Sequence, residues 1–312
     1  MCPVSESSLE QSPNRQEPNS RLSIRLASFD QYRGLLFSVA YRMLGTVADA
    51  EDMLQETFIR WQQASDEEIR SPRAFLVTII SRLCINHLQS ARVQREEYVG
   101  QWLPEPLVTG QGNDPLGLIR VDETLSMAFL VLLERLTPIE RAVFLLREVF
   151  EYEYSEIAAV LGQMEANCRQ ILSRARQHIG AMRPRFQPSP EKHTHLLERF
   201  LEAVRTGNME GLLALLSRDV VLYSDGGGKA VAVPNAVRGA DKVARGIVTG
   251  LKKLVPKDLT RRMMEVNGNP AVVSWRNGKP FSVLTLEASE GYVTTIYVIT
   301  NPEKLSRIPE LL

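Results

Sequence analysis

The sequence predicts a multidomain protein, with two all-α helical domains followed by an α+β domain. Three observations carry this expectation. Apolar residues recur at helical spacing through residues 28–95 and again through 121–183. Pro- and Gly-containing segments, 96–120 and 184–193, separate these stretches from each other and from the C-terminal third of the chain. Beyond residue 194 the texture changes to helices and then short β-rich runs parted by Asn-Gly and Glu-Gly pairs. A length of 312 residues suits two or three domains.

Taken in order, residues 1–27 are polar and Pro-containing, which predicts a disordered leader. Leu35, Leu36, Val39, Ala40 and Met43 form an apolar stripe that Gly45 ends. Thr46 to Asp49 is a capping box for a second helix, which would bury Met53, Leu54, Thr57 and Trp61 and show Asp49, Asp52 and Glu56 on its other face. A third helix starts at Ser71-Pro72 and runs to about Arg95. The linker 96–120 is apolar between Tyr98 and Leu107, which suggests that it docks on something. In the second domain Thr137-Pro-Ile-Glu140 supplies an N-cap, a first-turn proline and a capping-box glutamate. A short helix, Ser155–Leu161, then Gly162, then a longer basic helix from Glu165 to Met182 has helix-turn-helix spacing. After the linker 184–193, helices are expected over His195–Arg205 and Gly211–Leu216. Strands are expected at Val220–Tyr223, Arg261–Val266, Ala271–Trp275, Phe281–Glu287 and Tyr292–Thr300.

Composition narrows the function classes. The 37 basic and 37 acidic side chains cancel, and 44% hydrophobic residues is ordinary globular usage. No run approaches the roughly 20 apolar residues of a membrane helix, and the N-terminus has no signal-peptide core. Cys2, Cys84 and Cys168 have neither metal-ligand spacing nor a disulfide pattern, which fits a reducing cytoplasm. Charge is segregated nonetheless. Residues 28–68 hold eight acids against three bases, and residues 69–95 hold five arginines and no acid. One basic and one polyanionic partner would explain this, as would solvated helix faces.

In the helix-turn-helix, Cys168, Ile171, Leu172, Ala175 and Ile179 share the face that should pack inward. Ala166, Gln170, Ser173 and Gln177, flanked by Arg169 and Arg174, form the opposite face. Such a face suits a DNA major groove, although an αα-hairpin with an arginine-rich outer side has the same spacing. Its turn, Gly162-Gln-Met164-Glu165, offers Met where a capping Ser would serve. Cys168 falls on the inward face and reads as packing rather than a redox sensor.

The segments Asp49–Trp61, Leu136–Arg147, Tyr154–Gly162 and Glu165–Arg176 together resemble regions two and four of the bacterial extracytoplasmic-function sigma factors. The segments Trp102-Leu-Pro-Glu-Pro-Leu107, Asp225-Gly-Gly-Gly-Lys229 and Asn301-Pro-Glu-Lys-Leu305 resemble signatures of the SigJ-like group, whose sigma factors carry a fused SnoaL-like domain. The resemblance implies an RNA polymerase sigma factor. Its third domain would have the nuclear transport factor 2-like cone fold, a curved sheet and helices around a pocket.

The resemblance also implies roles for residues. Asp49, Asp52, Gln55 and Glu56 would bind the β′ clamp helices of the polymerase core, whose β flap is the other expected contact. Thr78, Arg82, Asn86, Gln89 and Arg92 would meet the promoter −10 element, with the loop Ala64–Pro72 as a base pocket. Ala166, Arg169, Gln170, Ser173, Arg174 and Gln177 would read the −35 element. His87 reads as a helix-surface or packing residue rather than a ligand, and Trp61 as core rather than a base-stacking platform. Regulatory contacts would come from Trp102, Leu103 and Pro104, from Asp225, Gly226, Gly227, Gly228 and Lys229, and from Asn301, Pro302, Lys304 and Leu305. The expectation is that the Asp225–Lys229 loop touches the sigma core near the Trp102–Leu107 linker and sets the placement of regions two and four. An unidentified small ligand in the third-domain pocket is a further expected partner; no cofactor, metal or membrane is. Some SnoaL-like proteins are enzymes with a pocket Asp. A SnoaL-type enzyme or ligand sensor fused to a helix-turn-helix is therefore the alternative, though Asp225 has no second supporting residue. Asp225–Lys229 is also similar to a phosphate loop but lacks its following Ser or Thr.

Overall fold

The computed structural model describes residues 18–65, 67, 69, 71–96, 98–110, 123–180, 189–250 and 255–311. The first helical unit comprises α1 (Pro18–Leu44), α2 (Val47–Gln63) and α3 (Pro72–Glu96). Helix α1 begins inside the segment expected to be a disordered leader. Its early turns have work to do in packing: Arg25 is buried and donates to the carbonyls of Gln62 and Ala64 at 3.0 and 2.7 Å, capping the end of α2. Trp61 returns a bond from Nε1 to Arg25 O at 3.0 Å and leans on Phe75, so it is a core residue. Thr46 caps α2, accepting from Asp49 N.

The second helical unit is α4 (Met127–Leu133), α5 (Pro138–Glu148), α6 (Tyr154–Leu161) and α7 (Glu165–Ile179). The Thr137/Glu140 capping box forms as its sequence predicts. Gly162 ends α6 in the left-handed conformation, with φ 64°. One apolar core runs from Phe29 through Ile179, so the two helical units share it. Buried Arg141 of α5 fastens them, donating to Met43 O at 2.6 Å and pairing with Glu134 at 2.8 Å.

The third unit holds α8 (Pro190–Thr206), α9 (Met209–Leu215), α10 (Ala240–Arg245), and strands β2 (Leu216–Asp225), β3 (Val237–Arg238), β4 (Leu259–Val266), β5 (Asn269–Arg276), β6 (Lys279–Ser289) and β7 (Tyr292–Ile299). Helix α8 starts within the expected linker 184–193. The last four strands form the expected antiparallel meander, and β2 lies parallel to β7. The edge is unexpected. Strand β1 (Val108–Thr109), from the segment between the helical units, pairs with Val266 and Glu265 of β4. The sheet order is therefore β1-β4-β5-β6-β7-β2-β3.

Strand alternation gives this sheet two apolar faces. Val272, Leu286, Ala288 and Ile296 pack under α8, α9 and α10. Val273, Trp275, Val283 and Ile299 face the other way. They pack with Leu103 of the linker, Met127 of α4, and Leu305 and Ile308 of the C-terminal tail. The second face is thus an interdomain seam.

Candidate nucleic-acid interface and its internal clasp

On α7 the packing face is Cys168, Leu172, Ala175 and Ile179, all buried. Burial pushes the Cys168 thiol up, which keeps it protonated and unreactive. Ala166, Arg169, Gln170, Ser173, Arg174 and Gln177 are all exposed. Arg169 pairs with Glu165 at 2.9 Å and lies over the Tyr154 ring. Met164 sits at the N-cap with no side-chain cap bond and 76% exposure. The helix starts at Glu165 all the same, because its inward face is anchored in the core.

On α2, Asp52 and Gln55 are exposed. Asp49 accepts from the Thr46 hydroxyl and lies 3.5 Å from His87 Nε2, while Glu56 pairs with Arg60 at 2.8 Å. The acidic stripe is therefore presented, but two of its members are held by neighbours. Burial pushes the carboxyl of Glu105, in the linker, upward, although its Oε2 accepts from Val47 N at 2.8 Å. A carboxylate at the start of α2 favours the helix dipole there. Sequence reasoning misses Glu105 as a contact residue, although it stands inside the Trp-Leu-Pro-Glu-Pro segment that singles out its neighbours.

On α3 the residues expected at the −10 element separate. Asn86 and Gln89 are exposed. The half-buried Thr78 donates its hydroxyl to Ala74 O at 2.7 Å. Arg82 is exposed but engaged: its Nε donates to Val160 O at 2.8 Å and its Nη2 to Ala159 O at 3.3 Å, in the last turn of α6. A guanidinium is favoured at such a helix C-terminus. The side chain of Arg92 and residues 66, 68 and 70 of the expected base pocket lie outside the described residues.

The three segments expected to make regulatory contacts meet at Asp225, which is 0% exposed. Its Oδ1 accepts from Tyr98 Oη at 2.6 Å and Gly227 N at 3.0 Å; its Oδ2 accepts from Leu103 N at 2.8 Å and Lys304 Nζ at 2.7 Å. Lys304 also donates to Leu103 O, and its ammonium lies 4.3 Å from the Trp102 ring centre and 5.0 Å from that of Tyr98. Such charge-assisted bonds and cation–π contacts strengthen on desolvation. Burial and the Asp225 carboxylate both push the Tyr98 phenol up, so it stays a donor. Asn301 Nδ2 donates to the same phenol oxygen at 2.9 Å. Gly227 has φ 58°, and a Cβ there would fall 2.4 Å from Asn301 Nδ2, so the loop closes only around glycine. Pro104 and Leu305 are buried beside this cluster, while Pro302 is exposed.

The Asp225–Lys229 loop meets the linker through Asp225, whereas Lys229 is exposed and pairs with Glu303 of its own domain. The base that grips the linker is Lys304, which pairs with the buried Asp225 and donates to Leu103 O. Trp102 in turn rests on the α1–α2 corner, where a Cβ on Gly45 (φ 76°) would lie 2.6 Å from its ring. The tail also reaches α2 directly through Arg307 and Glu51, 2.5 Å apart. A groove between α8 and α9, lined by His195, Glu198, Arg199, Glu202 and Asn208 among others, takes no residue from the sheet. His193 is buried with Nε2 2.9 Å from Leu286 O.

A helix-turn-helix with its outer face free, an acidic helix beside a basic one, and an α+β domain clasping the linker between them define a multidomain transcription factor of the sigma-70 type. Residues 29–93 match the Sigma-70 region 2 family, 126–179 the Sigma-70, region 4 family, and 197–300 the SnoaL-like domain family. The chain belongs to the extracytoplasmic-function (ECF) RNA polymerase sigma factors that carry a C-terminal SnoaL-like domain. It is 37% identical over 297 residues to the ECF RNA polymerase sigma factor SigJ of Mycobacterium tuberculosis, covering 92% of this chain and 95% of that one. The probable ECF RNA polymerase sigma factor SigI of the same species is 33% identical over 281 residues, covering 89% and 94%. The crystal structure of M. tuberculosis SigJ superposes with a TM-score of 0.74 at 35% identity, covering 90% of this chain and 98% of that one.

Proposed function

We propose that this sigma factor directs a bacterial core polymerase to promoters and that its C-terminal domain controls the process in cis. The exposed face of α2, with Asp52 and Gln55 foremost, docks on the basic clamp helices of β′; opposite charge steers that encounter. Region four contacts the β flap and lays the outer face of α7 in the −35 major groove, where Gln170 and the arginines reach base edges and phosphates. Helix α3 meets the −10 element through Asn86, Gln89 and Arg82. For Arg82 to do so it must leave the α6 carbonyls it holds at 2.8 and 3.3 Å. The described arrangement is accordingly a closed one, with regions two and four packed together rather than spread along a promoter. All of this takes place in the cytoplasm.

The observation that carries the control reading is the clasp. Asp225 and Lys304 of the C-terminal domain hold the main chain of Leu103, in the segment that joins the two promoter-reading regions. A domain that grips this segment in one state and not in another shifts the balance between them.

In-vitro transcription with core polymerase on the gene's own upstream region tests the reading. The full chain should yield a transcript with one start site. The Asp52→Lys, Gln55→Lys double variant should lose core binding while keeping its thermal transition. Absence of both transcript and core binding with the parent chain would overturn the reading.

A further inference from the structure

The β4–β5 hairpin carries a turn residue in an unexpected place. Asn267 and Gly268 both have positive φ, 53° and 72°, the pattern a two-residue type I′ turn demands. Hairpin tips ordinarily face solvent, yet Asn267 is 1% exposed. Its backbone N–H donates to Leu107 O at 2.8 Å, and its Oδ1 accepts from Leu107 N at 3.0 Å. Its Nδ2 donates twice, to Tyr41 Oη at 2.7 Å and to Leu125 O at 3.1 Å. Tyr41 donates its own proton to Glu105 O at 2.7 Å. A single amide therefore joins the C-terminal domain to α1 of region two, to the linker, and to the turn leading into region four. Both side-chain donors are used.

We propose that Asn267 is a positioning residue that holds both promoter-reading regions at one placement on the C-terminal domain. The proposal deepens the cis-control reading and rests on it for its functional consequence. Asp225 grips the linker alone; Asn267 reaches region two and the entry to region four at once. The chemistry admits few substitutes. Asp tolerates the same backbone conformation and keeps the acceptor for Leu107, but it has no donor for Leu125 O and sets a charge against that carbonyl. Ala leaves the Leu125 carbonyl and the Tyr41 oxygen without this donor in a buried place.

The test uses the full chain with Cys2→Ser and dyes on cysteines introduced at the exposed positions Ser90 of α3 and Lys242 of α10; Cys84 and Cys168 are buried. Variants are Asn267→Asp, Tyr41→Phe and the two combined. Asn267→Asp should lengthen and broaden the inter-dye distance and change promoter-specific transcript yield at least about threefold, the effect of losing one buried hydrogen bond. Amide exchange within β5 and β6 should stay as in the parent. Tyr41→Phe, which loses this contact and its bond to Glu105 O, should act the same way, and the double variant should fall short of the sum of the two single effects, since the Asn267–Tyr41 contact is common to both. An unchanged distance overturns the proposal, as does a distance change accompanied by loss of β5–β6 protection, which marks a role in folding only. A changed distance with unchanged transcript yield supports the positioning role and removes the cis-control reading.

Discussion

Replacing Lys304 by Met should open the clasp without unfolding either side. Lys304 and Asp225 are 7% and 0% exposed and their charged atoms lie 2.7 Å apart. Breaking such a buried pair from one side costs about 3–5 kcal/mol, because the remaining charge is left buried. Asp225 would retain Tyr98 Oη, Leu103 N and Gly227 N as neutral donors, so the lower end, about 3 kcal/mol, applies. That cost falls on the docked state alone: once the linker departs, water reaches Asp225. The docked-to-released ratio should then drop on the order of a hundredfold, at 1.36 kcal/mol per decade. Amide hydrogen exchange reads it directly. The Leu103 amide, bonded to Asp225, and the Glu105 amide, bonded to Gly45 O at 2.8 Å, should lose about two decades of protection while the amides of β5 and β6 keep theirs. Unchanged exchange at Leu103 would refute the argument. So would equal loss throughout the sheet, since Lys304 would then support the fold and not the clasp.

Two other outcomes are expected. Glu287 on β6 is 6% exposed, accepts a 3.4 Å bond from Ala128 N, and is pushed up to about 7 by burial. The folded chain holds this proton where the unfolded chain has released it, so stability should fall as pH rises from about 4.5 through 7 and then level off. Glu287→Gln should flatten that slope in thermal melts at pH 5 to 8 and gain up to about 3 kcal/mol at pH 8; an unaltered slope would show that another group titrates. Gly45→Ala places a Cβ 2.6 Å from the Trp102 ring at φ 76°. It should cost at least about 1 kcal/mol, lowering the melting temperature by about 2 °C or more; an unshifted melt would show that the corner yields freely.

Local signals made much of the fold legible. The Thr46 and Thr137 caps, Gly162 and the inward face of α7 are settled within a turn or two of chain, and the structure has them where the sequence puts them. The Asn267-Gly268 turn was legible as a turn, but its burial depends on Tyr41, Leu107 and Leu125, far away in sequence. Strand β1 is two residues long and pairs with a strand more than 150 positions on, so no periodicity could reveal it. The two lysines of the tail motifs, Lys229 and Lys304, look alike in sequence; only tertiary placement says which one meets the indole and the buried carboxylate. Arg82 carried the signal of a nucleic-acid contact, and its hold on α6 needed the packing of α3 against region four.

Strand β1 also shortens a leash. Regions two and four are joined by the chain between Glu96 and Glu123, 27 residue steps that could span at most about 95 Å fully extended. With the stretch through Gly110 fastened to the C-terminal sheet, only the 13 steps from Gly110 to Glu123 connect that anchor to region four, about 45 Å at full stretch. The same hydrogen bonds that complete a sheet edge thus act as a ruler. While they hold, the chain free to part regions two and four is little more than those 13 steps, and unfastening one short strand roughly doubles the chain available for reaching across a promoter.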